Sequence, residues 1–521
     1  MNSLMKDWQG HSRLDAHDEF VRNSFAPQAA EHIIAAIRDP QNPRGVYHRQ
    51  QLLFVCKEAL LVCPESGGKD PTVPPHGGEM GRVLLMANDL LPKRVTGPAP
   101  TSEQMINVMS EFIPIAEASG TYKAIHKILR TRLMLDRFFP NGGAGIRKVF
   151  EHATGAPLDD YLALCFATLC RYFDLDLEKF KADPANFLLS EQWYRTVPSC
   201  APFLASFLAE ISATASEFRK QIGERNSAAN DFTCFRGKPI FNNENGYFMI
   251  DAQFLAEKSE SGVFWCVNQA LPRPERLQFH QDWGIAFERY INWLLGESVD
   301  GSLNRVCPNP RFADTGEEVC DALVLCGDAI LFVESKGATF TAEAKYGAQP
   351  EELHDEIEEK FVQTNGQRKG IGQLALRIGE AFNKRHPRAI EGVCTSAVNR
   401  VFPVLITRDD IGAALVMNAY LASRFRDLFS HKSVSVRVTP PFSLSSQDVE
   451  MICGYLREAS FADLLEERYR SDRRLLSSFW LVDNAVIDRI GDRECKAFSD
   501  ASQSYFEGLT KTLFPTGEAV Y

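Results

Sequence analysis

VCDALVLCGDAILFVESKG, residues 319 to 337, is the stretch on which the reading of this chain turns. Two apolar β-type runs, Ala322 to Cys326 and Ala329 to Val333, flank Gly327-Asp328. Glycine at the first central position is what a two-residue type II′ turn requires, because that residue takes positive φ. With Cys326 facing Ala329, pairing outward sets Asp321 directly opposite Glu334, where facing Cβ atoms lie roughly 4.5–5.5 Å apart. Side chains alternate along a strand, so Lys336 shares the side of Glu334 while Ser335 turns away. Two carboxylates that close on an apolar hairpin repel each other unless a proton or a cation lies between them. A divalent metal is the simplest solution.

Asp, Glu and Lys on one face suit metal-assisted hydrolysis of a phosphodiester. Hard carboxylate oxygens hold Mg²⁺, the metal lowers the pKa of a bound water, and the ammonium positions that water or stabilises developing charge. Asp321 followed by Glu334-Ser335-Lys336 resembles the PD-(D/E)XK nuclease superfamily, whose pattern is an Asp at the start of one strand and (D/E)xK on the next. Cys320 stands where the motif's name has proline, a departure that leaves the metal ligand in place. Glu-x-Lys recurs at Glu343-Ala344-Lys345, Glu358-Glu359-Lys360 and Glu494-Cys495-Lys496, but none of these follows an apolar strand paired with an Asp-bearing one. The competing reading is an edge hairpin with solvated charges.

Two flanking segments bear on the choice. Phe279 to Leu295 reads as an amphipathic helix with Trp283, Phe287, Ile291 and Leu294 on one stripe and Glu288 beside it. Its W-G-x-x-F-E-x-Y pattern resembles the first core helix of the superfamily, whose Glu often projects into the metal site; a solvated helix glutamate is the alternative. Downstream, Gly366 to Arg388 carries six basic residues, Arg368, Lys369, Arg377, Lys384, Arg385 and Arg388, against the single acid Glu380, with Ile371, Leu374, Ile378 and Phe382 as its buried stripe. A basic helix after the motif strand fits contact with a phosphate backbone, although such charge can also be a solvated face. Gln373 resembles the glutamine that some branches of the superfamily place near the site. Glu351 to Lys360 is the opposite, six acids and one lysine, suited to pairing with the basic helix or shielding it.

The resemblance implies an α/β restriction-endonuclease-like core, a mixed central sheet flanked by helices, over about residues 226–440. Helical regions occupy 1–225 and 441–521. It further implies Mg²⁺, with Mn²⁺ able to substitute, held by Asp321, Glu334, the Ser335 backbone carbonyl and Glu288. Lys336 would orient or deprotonate the attacking water, and Arg368, Lys369, Gln373 and Arg377 would meet nucleic acid. DNA is the expected substrate. An RNA-cleaving nuclease or toxin of the same fold and a catalytically inactive nuclease-like binding module are the alternatives. Large nucleases of this kind without an attached ATPase resemble bacterial restriction or antiphage defence proteins, which often act as homo-oligomers or with a partner subunit.

Composition limits the rest. A chain of 521 residues with net charge -11 is not a polycation that coats nucleic acid, so any basic surface is local. The 13 cysteines are scattered without a CxxC pair or a secretory leader, which points to a reducing cytoplasm and to cysteines used as small core residues. No apolar run approaches the roughly 18 residues of a membrane span. Gln50 to Val62 and Gly81 to Leu91 have helical spacing, separated by a Pro- and Gly-rich loop at 64–80. Lys238 to Phe241, Gly246 to Ile250 and Val263 to Val267 read as strands, with a domain boundary near Arg225, and helices return at Ser446 to Arg457, Phe461 to Tyr469 and Ala501 to Leu513. Thr121 to Arg137 has five basic residues, a solvated face or an extension of a DNA-binding surface. The glycine-rich 141–148 segment lacks a GK[ST] ending and a preceding strand and is not a Walker A loop; it starts a helix instead.

Overall fold

The structure, a computed structural model, describes residues 49–62, 82–84, 86–87, 104–110, 113, 124–173, 188–196, 200–225, 231–243, 246–347, 349–409, 417–470 and 493–513. The 64–80 loop and the second half of the Gly81 to Leu91 helix lie outside these residues.

The apolar hairpin forms the middle of a six-stranded mixed sheet. Strands β1 (Arg305–Pro308), β2 (Ala322–Cys326) and β3 (Ala329–Lys336) make an antiparallel meander, and β4 (Arg400–Thr407) joins β3 in parallel. Two short strands, β5 (Arg437–Val438) and β6 (Phe442–Ser445), both pair with β4 in parallel. The hairpin register runs from Cys326 opposite Ala329 to Ala322 opposite Val333. Gly327 takes φ 62° and Asp328 does not enter the positive-φ region, the sign pattern of a type II′ turn.

Both faces of this sheet are covered, which is why β2, β3 and β4 are almost continuously apolar. Ala322, Val324, Leu331, Val333 and Val404 join one core; Leu323, Ile330, Phe332, Val401 and Leu405 join a second on the opposite face. The helices that cover them include α1 (Arg49–Val62), α2 (Ala124–Leu133), α3 (Val263–Ala270), α4 (Arg273–Glu297), α5 (Gly370–Ala381), α6 (Met417–Phe429) and α7 (Ser446–Ile452). Of these, α1 to α4 and α7 contribute to the first core, and α5 and α6 to the second. The architecture is therefore mixed α/β, with helices on both faces of a mixed sheet and helical segments before and after it.

The long helix α4 buries Trp283, Phe287, Tyr290, Ile291 and Leu294 completely, the stripe that its spacing predicts with Tyr290 added. It lies very close to the end of β3. A Cβ on Gly337 would stand 3.1 Å from Gly284 Cα and 3.2 Å from Phe287 Cβ, so glycine is what lets strand and helix meet.

Three expectations change. Val263 to Val267 is helix α3, not strand. Val263, Phe264 and Val267 are buried at helical spacing, a period hidden in a run too short to distinguish the two structures. The basic segment Thr121 to Arg137 does not present a wholly solvated or DNA-binding face: Arg130, 2 % exposed, bonds Glu260 and Glu450, each at 2.7 Å. Tyr290 donates to Glu450 Oε1 at 2.6 Å, so one buried network ties α2, α4 and α7 together. The acidic segment 351–360 finds other partners than the basic helix: Glu358 receives Arg424 and Tyr420, each at 2.7 Å, and Glu356 receives Lys360 and Thr341.

Ser212–Ala213 pairs in parallel with Ile240–Phe241, and the first core runs without interruption from α1 through α4 to the C-terminal helix Lys496–Leu513. Packing thus continues across residue 225. Among the described residues no helix is long and apolar enough to cross a membrane, and the cysteines are mostly buried.

Candidate active site

The two hairpin strands bring the charged residues together at the end remote from the turn. Glu334 is only 2 % exposed and shares its face with Ile330 and Phe332 by strand alternation. Lys336 Nζ donates to Glu334 Oε1 at 2.5 Å and keeps 22 % of its side chain exposed, so it stands at the mouth of the site with Glu334 behind it.

Asp321 departs from simple opposition to Glu334. Its N–H donates to the Val333 carbonyl at 3.1 Å, and Val333 is also the partner of Ala322, so two consecutive residues share one opposing residue, as in a β-bulge. The bulge re-aims the carboxylate: Asp321 Oδ2 accepts the Ser335 N–H at 2.6 Å. Ser335 thus meets the site through its amide, whose bond to Asp321 orients the acid.

Helix α4 supplies the third wall. Glu288, half-buried, and Asp321 each place a carboxylate oxygen with one from exposed Glu318, all within 4.8 Å of one another. Asn309 braces the group. With its amide turned to satisfy both neighbours it donates to Glu288 Oε1 (2.9 Å) and to the Asp321 carbonyl (3.3 Å), which also receives the Asn309 N–H (2.9 Å) and Asn292 Nδ2 (3.2 Å). Asn309 has φ 46°, a conformation asparagine tolerates better than most residues.

The electrostatics are under tension. Burial, then the charges of Glu334 and Glu288, push the Asp321 carboxyl well above its usual range, against the opposing pull of Lys336 and the Ser335 N–H. Burial raises Glu334 despite its Lys336 partner, and burial followed by Glu318 and Glu334 raises Glu288. Burial disfavours the Lys336 ammonium, but Glu334 and Asp321 outweigh it and hold the lysine above its ordinary value. Several acids and one ammonium thus share a largely desolvated corner. The donor set is hard oxygen throughout, which fits Mg²⁺ or Mn²⁺ rather than a thiophilic metal. The grouping differs from the expected ligand pair: Asp321 clusters with Glu288 and Glu318, whereas Glu334 is engaged by Lys336.

Sequence reasoning missed Glu318, Asn309 and Asn292. Glu318 lies in the loop leading to β2, with no periodicity to mark it. The proposed nucleic-acid contacts sit apart from this cluster or are already engaged. Gln373 Oε1 accepts the Gly370 N–H at 3.1 Å and so closes the start of its own helix α5. Arg377 bonds Glu380 at 2.9 Å and reaches Glu317 at 3.6 Å, although its charge is felt at Glu334. Arg388 is held by Asp314 (2.8 Å) and Glu317 (3.0 Å) over the Phe312 ring. Arg368 and Lys369, both half-buried, precede α5, and among the described residues neither makes an ion pair.

Comparison with protein-family models, with curated proteins and with solved structures gives no match.

Proposed function

We propose that the chain is a metal-dependent nuclease with a PD-(D/E)XK-like centre in a restriction-endonuclease-like core, hydrolysing phosphodiester bonds in DNA. One observation carries the reading: a single hairpin, the loop leading to it and the helix before it bring carboxylate oxygens of Glu288, Glu318 and Asp321 within 4.8 Å of one another at the end of the central strands, beside the bonded pair Glu334 and Lys336. Burying acids costs stability, so desolvated carboxylates gathered at one corner support a functional use for them.

Glu288, Glu318 and Asp321 would hold Mg²⁺, or Mn²⁺ in its place. Bound there, the cation supplies a coordinated water of lowered pKa and positive charge for the phosphoryl oxygens. Lys336 acts as a donor. An ammonium bonded to Glu334 at 2.5 Å and facing Asp321 keeps its proton, so its role is to orient water or phosphate rather than to remove a proton. Asn309, Asn292 and the Ser335 amide fix the carboxylates before substrate arrives, which removes reorganisation from the reaction. Arg368 and Lys369 remain the cations of the basic stretch best suited to phosphate, because Arg377 and Arg388 are committed to carboxylates.

The test is cleavage of plasmid, linear DNA and RNA by wild type and Lys336→Ala with Mg²⁺ or Mn²⁺. DNA should be cut, with the rate reduced on the order of 10²–10⁴-fold in the variant. Cleavage that survives the substitution, or that persists in EDTA, sinks the assignment. RNA cut in preference to DNA moves the substrate and leaves the chemistry.

A further inference from the structure

A cavity of about 950 Å³ opens beyond the C-terminal ends of β3 and β4, bounded by residues of α3, the segments around Lys238 and Lys258, and the stretch from Thr339 to Tyr346. Its volume is that of a site for a small organic ligand, roughly 300–1,000 Å³. The wall is densely charged, and most of that charge is matched within it. Lys258 bonds Glu210 at 2.5 Å, Lys345 bonds Asp409 at 2.7 Å, Arg236 bonds Glu257, and Glu260 is turned to Arg130 at 2.7 Å.

Two lining cations have only longer-range charge partners, Glu210 and Glu217 for Lys238 and Glu260 and Asp409 for Arg408. Among the described residues neither Lys238 nor Arg408 enters an ion pair. Lys238 Nζ donates to the Ala209 carbonyl. Arg408 is 4 % exposed; its Nη2 makes a long 3.4 Å bond to Ser261 Oγ and its Nη1 has no hydrogen-bond partner. Its guanidinium lies over the rings of Phe264 (4.7 Å) and Trp283 (5.1 Å), which supports the plane but gives Nη1 no hydrogen-bond acceptor. Glu260 and Asp409 soften the charge, but both are already bound elsewhere. A buried guanidinium in this condition calls for an anion. The same wall offers the half-buried indole of Trp265, and Tyr346 with the Arg236 guanidinium 5.0 Å above its ring.

We propose that this cavity binds a nucleoside phosphate, its phosphate charge taken by Arg408 and Lys238 and its base packed on Trp265. Phosphate alone would leave the aromatic wall unused, and a neutral ring would leave the cations unpaired. The site has a direct connection to the candidate active site. Arg408 N–H donates to the Lys336 carbonyl at 3.1 Å, and its side chain rests on Trp283 of the helix that carries Glu288. Ligand held by Arg408 therefore bears on both the motif strand and its facing helix. That consequence rests on the nuclease reading; the binding site itself does not.

The experiment is calorimetric titration of the full chain in EDTA with ATP, GTP, CTP and UTP, and with inorganic triphosphate. At least one nucleotide should bind, with Lys238→Gln and Trp265→Leu each weakening it by about tenfold or more. These two residues are partly exposed, so their variants preserve the fold that a change at buried Arg408 endangers; a thermal melt of each variant checks this. Inorganic triphosphate should bind at least about tenfold more weakly than the best nucleotide, for want of the base. Asp321→Asn should bind nucleotide like wild type, which separates this cavity from the proposed nuclease centre. The proposal is overturned if no nucleotide binds at millimolar concentration, if both cavity variants bind unchanged, if triphosphate matches every nucleotide, or if Asp321→Asn abolishes binding.

Discussion

Replacing Asp321 with asparagine should change stability in opposite directions with and without a divalent cation. The oxygens of Glu288, Glu318 and Asp321 lie within 4.8 Å of one another. At an effective dielectric of about 20, like charges at that distance repel by about 3 kcal/mol. Glu318 is exposed, so water and salt reduce its share, and the lost attraction to Lys336 offsets part of the gain. The amide can still accept the Ser335 N–H through Oδ1. The sign follows from the raised pKa: an acid held above its usual range destabilises the folded state wherever it is ionised, so neutralising it at pH 7 stabilises. A net gain of about 1–2 kcal/mol raises the melting temperature by only about 1–2 °C in a chain of 521 residues, because the unfolding entropy grows with chain length. In Mg²⁺ or Mn²⁺ the order should reverse. A cation at a hundred times its Kd adds about 2.7 kcal/mol to wild type, and the variant loses most of this. Scanning calorimetry in EDTA and then across a metal titration reads both halves. A variant less stable than wild type in EDTA, or one that metal stabilises equally, would refute the placement of a cation among these acids.

Other outcomes follow from the surrounding structure. Gly337→Ala should cost about 1–3 kcal/mol by driving a Cβ to 3.1 Å from Gly284 Cα, while Gly284→Ala, whose own Cβ would meet nothing within 4 Å, should be neutral or stabilising by up to about 1 kcal/mol; urea unfolding of the pair compares them. Arg130→Met strands buried Glu260 and Glu450 and should cost about 3–5 kcal/mol, measured the same way. Arg130 and His126 hold Glu450, against burial, down from an ordinary 4.5 to about 2, which corresponds to about 3 kcal/mol of stability. That contribution is fully present above the ordinary value and fades as pH falls towards 2, so the stability gap between wild type and Glu450→Gln should close over this window in acid titrations followed by circular dichroism. Lys369→Gln should weaken DNA binding at low salt and reduce the salt slope by about 1, whereas Arg388→Gln, removing a cation already neutralised by Asp314 and Glu317, should leave that slope unchanged.

The hairpin is legible because its signals are local. Gly327-Asp328 selects the turn, the turn selects the register, and the apolar runs either side demand burial. What happens one residue beyond the ladder is not local. The bulge that turns Asp321 onto the Ser335 amide depends on Asn309 and Asn292 gripping the Asp321 carbonyl, residues 12 and 29 positions away with no shared pattern. Glu318 is hidden for the same reason: Val319 N–H to the Pro310 carbonyl and Phe312 N–H to the Glu317 carbonyl fold its loop beside β1, and no periodicity announces such a loop. Charge is misread most easily. Arg130 sits in a basic segment that looks solvated, yet its acids come from 130 and 320 positions away. Likewise Arg388 counts as a free cation in its own segment while its partners lie more than 70 positions upstream. Net charge over a window says what is available; only tertiary pairing says what is left.

Helix α4 shows how a strained carboxylate cluster is kept in one geometry. Over ten positions it supports the ring under Arg408 (Trp283), the glycine contact at the end of β3 (Gly284), the carboxylate Glu288, the hydroxyl that enters the buried Arg130–Glu450 network (Tyr290) and the amide on the Asp321 carbonyl (Asn292). Repulsion among the acids alone would separate the helix from the hairpin. The opposing forces are the complete burial of Phe287, Ile291 and Leu294 and the charge-assisted bond of Tyr290 to Glu450 at 2.6 Å, neither of which involves the acids themselves. Glu288 is thus positioned by residues on other faces of its own helix. A perturbation at Tyr290 or at the Gly284–Gly337 contact therefore reaches the carboxylates by moving α4 as a unit, and it should alter metal affinity without touching any residue that could bind the metal.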